Sequence, residues 1–241
     1  MAANLHVQAT GQNAQFAALE PIERDRNGEI IYPEQRLTDM GETFLHYELL
    51  AYLWNALRVH LQGRTDIFFA ANMNLYYEEG NPRVYYTPDL MICFGVENRP
   101  RKVYKLWEEG AFPQVVFEIA SDRTWKNDIS DKYEAYAEMG VEEYYLLDSE
   151  RIYLPLALMA YQRAKERLKY VPAENNRIFS PRLGLEIVDT GKEFRLFNPT
   201  INEFLKTPLE LGAENEQLES ENEQLKARLM ELESLLKKQN G

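Results

Sequence analysis

Residues 83–96, RVYYTPDLMICFGV, and residues 114–121, QVVFEIAS, decide the fold of this chain. Both runs are rich in β-branched and aromatic residues, a composition typical of strands in a buried sheet. The first run contains Asp89 and the second contains Glu118. An ionised carboxylate among valine and isoleucine side chains needs a partner of opposite charge. Two carboxylates on adjacent strands offer hard oxygen ligands to Mg²⁺ or Mn²⁺, so these runs predict a divalent-metal site.

The neighbouring segments predict the order helix, strand, strand, strand, helix, strand. Residues 42–61 carry leucines four apart, which is an apolar stripe on a long helix. Residues 66–77, DIFFAANMNLYY, precede a Gly-Asn-Pro break and predict another strand of the same sheet. Residues 125–139 have helix-forming composition and end at a glycine, and residues 142–148 predict a further strand. Short β segments between residues 156 and 205 are expected to complete this sheet.

The two acids also have a purely structural interpretation. Asp89 follows a proline, so its side chain is also suited to cap a turn. Glu118 is also compatible with a half-buried strand, from which it would face solvent. Both interpretations stay open when the pair is considered by itself.

Three polar residues follow on the second predicted helix. Asp128, Lys132 and Tyr136 are spaced at i, i+4 and i+8, so one helical face presents all three to the same cleft. The alternative is a surface salt bridge between Asp128 and Lys132, with Tyr136 packing beside it. Lys126 is the second candidate for a site lysine.

A longer pattern extends from the acids to the end of the β segments. It consists of Pro88-Asp89, Glu118-Ile119-Ala120-Ser121, Thr124, Asp128, Lys132, Tyr136, Gly140-Val141, Glu143-Tyr144, Asp148, Ser180, Leu183-Gly184-Leu185 and TPLE at residues 207–210. This spaced combination resembles the Uma-two family of restriction endonucleases, which belongs to the PD-(D/E)XK nuclease superfamily. The resemblance covers residues 30 to 210.

The resemblance implies both a fold and a chemistry. The fold is a restriction-endonuclease-like α/β structure, with an αβββαβ core and a mixed central sheet. The chemistry is metal-dependent cleavage of DNA, with Asp89 and Glu118 as ligands of Mg²⁺ or Mn²⁺. The superfamily places a lysine two residues after the second acid, where this chain has Ala120. In the Uma-two family a lysine from the following helix takes this role, and Lys132 is the matching residue.

Two further polar residues lie at the start of the first predicted helix. Glu42 and His46 are one turn apart, and members of the family often carry a polar residue near this place. Both are therefore candidates to reach the metal cleft. The alternative for His46 is a histidine on the helix surface or in an interface. Cys93 is expected in the core, because no base is placed beside it.

The net charge of −12 excludes a protein that coats nucleic acid through general positive charge. Eight glutamates and four basic residues lie in residues 209–241, so the rest of the chain retains −8. A nuclease of this composition must rely on a local cleft and on metal ions. Arg99, Arg101, Lys102 and Lys105 are candidates for a basic wall beside Asp89.

Composition also bears on the compartment. The single cysteine cannot form an internal disulfide, and the chain does not open with a pattern typical of a signal peptide. The longest apolar run, residues 152–161, contains Pro155 and is far shorter than the roughly 20 residues needed to cross a bilayer. We therefore expect a cytoplasmic protein that does not associate with membranes.

Residues 209–241 carry a heptad pattern typical of a leucine zipper. Its d positions are Leu211, Leu218, Leu225 and Leu232, and its a positions are Asn215, Asn222, Leu229 and Leu236. Asparagine at a positions favours a parallel homodimer in register, because each buried amide bonds best to its twin. The pairs Glu221 to Lys226 and Arg228 to Glu233 attract across such a dimer. The alternative is a helix that packs back on its own domain.

These patterns divide the chain into three parts: a flexible arm at residues 1–20, a nuclease-like domain at residues 21–208 and a coiled coil at residues 209–241. Two hypotheses on function remain. In the first, the protein is a Mg²⁺-dependent DNA endonuclease whose zipper pairs two active sites. In the second, it is a catalytically weak or inactive nuclease-fold protein that acts as a binding or assembly module through its coiled coil.

Overall fold

The computed structural model of the protein describes residues 22–33 and 43–239, with side chains as far as residue 233. These residues form a mixed α/β structure, as the sequence predicts. The strands are β1 (Ile67–Ala71), β2 (Leu75–Tyr76), β3 (Tyr85–Tyr86), β4 (Leu90–Phe94), β5 (Tyr104–Lys105), β6 (Val115–Ile119), β7 (Glu143–Leu147), β8 (Leu158–Ala164), β9 (Arg167–Val171), β10 (Arg177–Ser180), β11 (Leu185–Asp189), β12 (Phe194–Asn198) and β13 (Glu203–Phe204). The helices are α1 (Phe44–His60), α2 (Leu106–Glu109), α3 (Trp125–Asp128), α4 (Asp131–Met139) and α5 (Pro208–Gln239). The arm predicted at residues 1–20 lies outside the described residues.

The largest sheet has six strands in the order β1-β4-β6-β7-β8-β9. Strands β6 and β7 are parallel, and the other neighbouring strands are antiparallel, so the sheet is mixed. Val116 on β6 packs in one core cluster with Ala135 and Tyr136 of α4. Because side chains alternate along a strand, Glu118 points to the same side of β6 as Val116. The central sheet therefore directs this acid toward α4.

Two predicted strands are each divided between two sheets, so the prediction of one sheet is wrong. Residues 66–77 contribute β1 to the large sheet, but β2 belongs to a small sheet of order β3-β2-β5. Residues 83–96 are divided in the same way into β3 and β4. The chain turns at Asn72, whose φ is 50°, and at Pro88, which has no N–H for a sheet ladder. Asp89 accordingly lies just before β4 and not inside a continuous strand.

The later β segments do not all complete the large sheet, contrary to the prediction. Strands β8 and β9 extend it, but β10 to β13 form a separate antiparallel sheet of four strands. This sheet packs beside α1. The Leu196 N–H donates to the Tyr52 hydroxyl at 2.8 Å, and His60 Nε2 lies 2.9 Å from the Leu183 carbonyl oxygen.

Helix α1 confirms the first predicted helix. The Thr43 side chain accepts a hydrogen bond from the His46 N–H and caps its start. Within the predicted apolar stripe Leu49, Leu53 and Leu57 are buried, whereas Leu45 at the helix start is 46% exposed. The second predicted helix is interrupted by two residues, which separate α3 from α4.

Contacts divide the chain into two compact units, Met1–Phe204 and Leu205–Gly241. Helix α5 makes up most of the second unit. Four leucines of the predicted zipper are exposed in the single chain: Leu218, Leu225, Leu229 and Leu232. None of the described helices has the length and apolar content required to span a membrane.

A buried ion pair anchors the loop that follows β4. Glu109 accepts hydrogen bonds from Arg101 at 2.6 and 2.7 Å and from Arg99 at 2.9 Å. The Arg101 guanidinium lies 4.3 Å from the ring centre of Phe68, and its side chain is 3% exposed. The hydrogen bond from Arg101 is the main reason that the pKa of Glu109 falls below its usual value.

Replacing Glu109 by glutamine is expected to lower the free energy of unfolding by about 2 kcal/mol, because Arg101 then stays buried without a carboxylate. Because folding lowers the pKa of Glu109, its ionisation stabilises the folded state. This stabilisation is present above the ordinary carboxyl pKa and is lost as the pH falls through the lower pKa of the folded state. Urea unfolding should therefore show that the difference in free energy of unfolding between the unmodified chain and Glu109→Gln shrinks in acid. Glu108→Gln is the matched control, since Glu108 is 55% exposed and pairs only with Lys105 in the described residues. Equal effects of the two substitutions would contradict the anchoring role.

Candidate active site

Asp89 and Glu118 face each other across the antiparallel pair of β4 and β6. Leu90 is paired with Phe117, so Asp89 and Glu118 are the next facing residues. The Ile119 N–H donates to Asp89 Oδ2 at 2.6 Å, and the Asp89 N–H donates to Glu118 Oε2 at 3.4 Å. The backbones of both strands therefore hold the two carboxylates next to each other.

Helices α3 and α4 bring Lys132, Asp128 and Tyr136 to Glu118. Lys132 Nζ lies 2.9 Å from Glu118 Oε2 and 2.8 Å from Asp128 Oδ1. The Tyr136 hydroxyl donates to Glu118 Oε1 at 2.7 Å. Asp128 is fully buried and Lys132 is 6% exposed, so the alternative of a surface salt bridge is wrong. The solvent-facing alternative for Glu118 is also wrong, since Glu118 is 1% exposed.

We call Asp89, Glu118, Asp128 and Lys132 the acid–lysine cluster. Burial raises the pKa of Glu118 well above its usual value, and the other two carboxylates add to this effect while Lys132 opposes it. Burial likewise raises the pKa of Asp128. Burial by itself would lower the pKa of Lys132, but the three carboxylates raise it above its usual value. Lys132 is therefore a cation, and the cluster carries a charge of −2 when all three acids are ionised.

Asp89 is the most exposed member of the cluster. Its side chain is 11% exposed, whereas that of Lys132 is 8% exposed and that of Glu118 is 1% exposed. His46 lies on the first turn of α1 with Nε2 3.5 Å from Asp89 Oδ1, and its side chain is 3% exposed. The helix-surface interpretation of His46 is therefore wrong. Glu42, the other accessory candidate, lies outside the described residues.

Other predicted site residues lie elsewhere. Lys126 is exposed and lies over the Trp125 ring at 5.4 Å, so it is not part of the acid–lysine cluster. Arg99 and Arg101 share one glutamate, and Lys105 pairs with another. Arg99, Arg101 and Lys105 are thus divided between two acidic partners, which neutralise much of the positive charge predicted beside Asp89.

The comparison with protein families identifies the family of this chain. A family model described as "Uma2: Putative restriction endonuclease" matches residues 14–190, a range that contains the whole acid–lysine cluster. The chain belongs to the Uma2 family. This is the Uma-two family that the sequence pattern resembles, and the match confirms that resemblance.

One solved structure similar to this Uma2 protein is described as "a putative nuclease belonging to DUF820 from Anabaena variabilis". It is 10% identical in sequence and has a TM-score of 0.44, with 65% of this chain and 79% of that chain covered. A search of curated proteins gives no match.

The donor set of this Uma2 protein fits an ion that needs few protein ligands. The described part of the chain contains no group of three or more His, Cys, Asp or Glu side chains able to hold a metal. Mg²⁺ usually takes one or two carboxylates and fills its other positions with water and substrate phosphate oxygens. Asp89 and Glu118 can supply those two carboxylates, provided that Glu118 is shared between the ion and Lys132.

The sequence predicts no role in the site for two groups, the Ile119 N–H and the Tyr144 side chain, although both residues belong to the family pattern. The Ile119 N–H orients Asp89, but every non-proline residue has such a group, so no sequence signal marks it. Tyr144 on β7 donates its hydroxyl to the Asp128 carbonyl oxygen at 2.8 Å, and its ring packs edge-on against Tyr136. The sequence signal for Tyr144 is that it is a tyrosine in a strand whose other residues are suited to the core. A hydroxyl buried there needs a hydrogen-bond partner.

Proposed function

We propose that the protein is a Mg²⁺- or Mn²⁺-dependent DNA endonuclease with a restriction-endonuclease-like core, in which Asp89 and Glu118 hold the metal and Lys132 stabilises charge. The observation that carries the proposal is the buried contact of Lys132 with Glu118, beside Asp89 at the start of the facing strand. A bound divalent ion would polarise the phosphodiester and make water a better nucleophile. It would also offset the negative charge that the acid–lysine cluster carries when its acids are ionised, which burial makes costly.

The residues of the chain have separable tasks in this proposal. In hydrolysis the water oxygen bonds to phosphorus, the P–O bond to the leaving oxygen breaks, and the proton of the water ends on that leaving oxygen. Negative charge grows on the phosphoryl oxygens on the way. Lys132 is protonated and fixed by two acids, so it is suited to stabilise that charge and to orient the water, and not to accept a proton. Tyr136 and Asp128 position Glu118 and Lys132. His46 is suited to orient Asp89.

Supercoiled plasmid tests the activity directly. Purified protein with Mg²⁺ or Mn²⁺ is expected to convert it to open-circular or linear DNA, and a chelator is expected to stop the reaction. Failure to cleave with either ion, or cleavage that survives the chelator, would overturn the proposal for duplex DNA.

We further propose that helix α5 pairs two copies of the chain as a parallel coiled coil. Leu225 is 64% exposed and Leu218 is 49% exposed in the single chain, and both occupy d positions. Asn222 donates one amide hydrogen to the Leu218 carbonyl oxygen. Its other hydrogen and its carbonyl oxygen match those of a second Asn222 across the dimer. Two active sites related by a two-fold axis would suit cleavage of both strands.

Leu225→Glu is expected to make the protein monomeric, because it places a charge at a d position of the seam. Light scattering during gel filtration measures the mass of the particle. Gln224→Glu adds the same charge at a c position, which faces away from the seam, and is expected to leave the dimer intact. In the plasmid reaction, the monomeric variant should yield open circles in place of linear DNA. A Leu225→Glu protein with an unchanged mass would contradict the predicted zipper.

One observation favours the second hypothesis, a catalytically weak assembly module. Both carboxylate oxygens of Glu118 are already engaged, by Lys132 and by Tyr136. If these contacts exclude a metal ion, the nuclease-like domain does not catalyse cleavage and the protein acts through its coiled coil. The plasmid experiment separates the hypotheses, because the assembly module remains dimeric but does not cleave.

A further inference from the structure

A groove of 390 Å³ lies along the outer edge of β1, between α1 and the loop after β4. Strand β1 is at the edge of the six-stranded sheet. Trp54 and Phe69 line one side of the groove, with ring centres 6.4 Å apart, and Asn98 and Arg99 line the other. The groove therefore combines aromatic surface with polar donors.

Arg58 supplies a cation that no acid neutralises in the described residues. It is exposed, and its guanidinium lies 5.2 Å from the ring centre of Trp54. Arg101, by contrast, is held under Phe68 by its carboxylate partner, and Arg99 shares that partner. Arg58 is thus available to an anionic ligand, and Arg99, whose side chain is 50% exposed, can assist it.

One backbone contact links the lining of the groove to the acid–lysine cluster. Met73 lines its floor, and the N–H of the preceding Asn72 donates to the Asp89 carbonyl oxygen at 3.1 Å. On the other side, His46 and Trp54 are eight residues apart on α1, which is about 12 Å along the helix axis. That span matches roughly three to four nucleotides of a stacked strand, which rises about 3.4 Å per nucleotide.

A second cavity of 580 Å³ lies near the start of β7, but its charged groups already have partners. Arg182 pairs with Glu142, and Arg163 donates to the carbonyl oxygens of Val141 and Ala137. The main-chain N–H of Arg182 and the Ser180 hydroxyl also bind a buried glutamate there. Each charged side chain that lines this cavity is thus already hydrogen-bonded, whereas Arg58 in the groove beside β1 makes only a ring contact within the described residues.

We propose that the groove beside β1 is a nucleotide subsite that holds the DNA strand next to the bond to be cut. A base stacks on the Trp54 indole, and a backbone phosphate pairs with Arg58. Binding through base stacking and one local cation is compatible with the net charge of −12, because stacking does not depend on overall electrostatic attraction between protein and DNA. This inference rests on the proposed nuclease function and adds to it a site that binds the substrate strand.

The test measures binding without cleavage. A fluorescein-labelled 12-nucleotide single strand of DNA is titrated with the full chain in the absence of divalent metal, and its anisotropy is recorded. Arg58→Gln is expected to weaken binding about tenfold, as loss of a charge-assisted contact does. The slope of log affinity against log salt should fall by about 0.7, as for one lost phosphate contact. Trp54→Leu should also weaken binding roughly tenfold by removing the stacking surface.

Arg167→Gln is the matched control. Arg167 is exposed on β9, at the opposite edge of the same sheet, and its replacement removes the same charge. Weaker binding in Arg58→Gln with unchanged binding in Arg167→Gln supports the subsite, whatever the plasmid experiment shows. Equal binding by Arg58→Gln and the unmodified chain would overturn it even if plasmid is cleaved. Failure of the chain to bind the oligonucleotide would also overturn it, and would leave the edge of β1 as a surface for another protein strand.

Discussion

Asp89→Asn and Glu118→Gln are each expected to slow plasmid cleavage about a thousandfold or more. Each amide keeps the shape of the acid but removes its charge, so the ion loses one of two carboxylate ligands. A bound ion stabilises the transition state by several kcal/mol, and about 4 kcal/mol corresponds to a factor of a thousand. The measurement is the rate of loss of supercoiled plasmid at saturating Mg²⁺ or Mn²⁺, with enzyme in excess.

Asp122→Asn provides the control for charge. Asp122 is exposed just after β6, and its replacement removes one negative charge without touching the acid–lysine cluster. Its cleavage rate is expected to match that of the unmodified chain. Thermal melting checks that all three variants fold. Cleavage by Asp89→Asn or Glu118→Gln at the rate of the control would remove that residue from the metal site.

Lys132→Met is expected to lower the free energy of unfolding by about 3–5 kcal/mol at neutral pH, the usual cost of removing one partner from a buried ion pair. Glu118 and Asp128 would keep their burial but lose the ammonium that lies within 3 Å of each. Cleavage should also slow about a hundredfold, because a donor aimed at developing charge is lost. Urea unfolding and the plasmid reaction measure the two effects separately.

The pH dependence distinguishes a buried charge from a simple packing defect. Burial raises the pKa of Glu118, so protonation favours the folded state. This stabilisation by protonated Glu118 is fully present below the ordinary carboxyl pKa and is lost as the pH rises through the pKa of Glu118 in the folded state. The deficit of Lys132→Met should therefore be smallest in acid and grow toward neutral pH. Lys126→Met, at an exposed lysine on α3, should cost little at any pH. A Lys132→Met deficit that does not change with pH would contradict the charge argument.

Much of the candidate site could be predicted from single residues and their spacing. Glu118 was conspicuous because a carboxylate inside VVFEI is costly unless it is paired. Lys132 and Asp128 were linked by the i, i+4 rule, which holds although α3 and α4 are separate helices. The role of His46 could not be predicted in this way. A histidine on an amphipathic helix has the same local pattern whether it lies against solvent or against a carboxylate.

The sequence by itself determined the positions of the main strands and helices, the buried face of α1 and the pairing of Asp128 with Lys132. These features follow from composition and from the periods of strand and helix, which are local properties. Only the tertiary structure decided which strands share a sheet, that Asp89 faces Glu118, and that the loop after β4 meets α1 at a groove. These features depend on pairing between residues far apart in the chain. The free energy of such pairing comes from contacts that no local window of sequence contains.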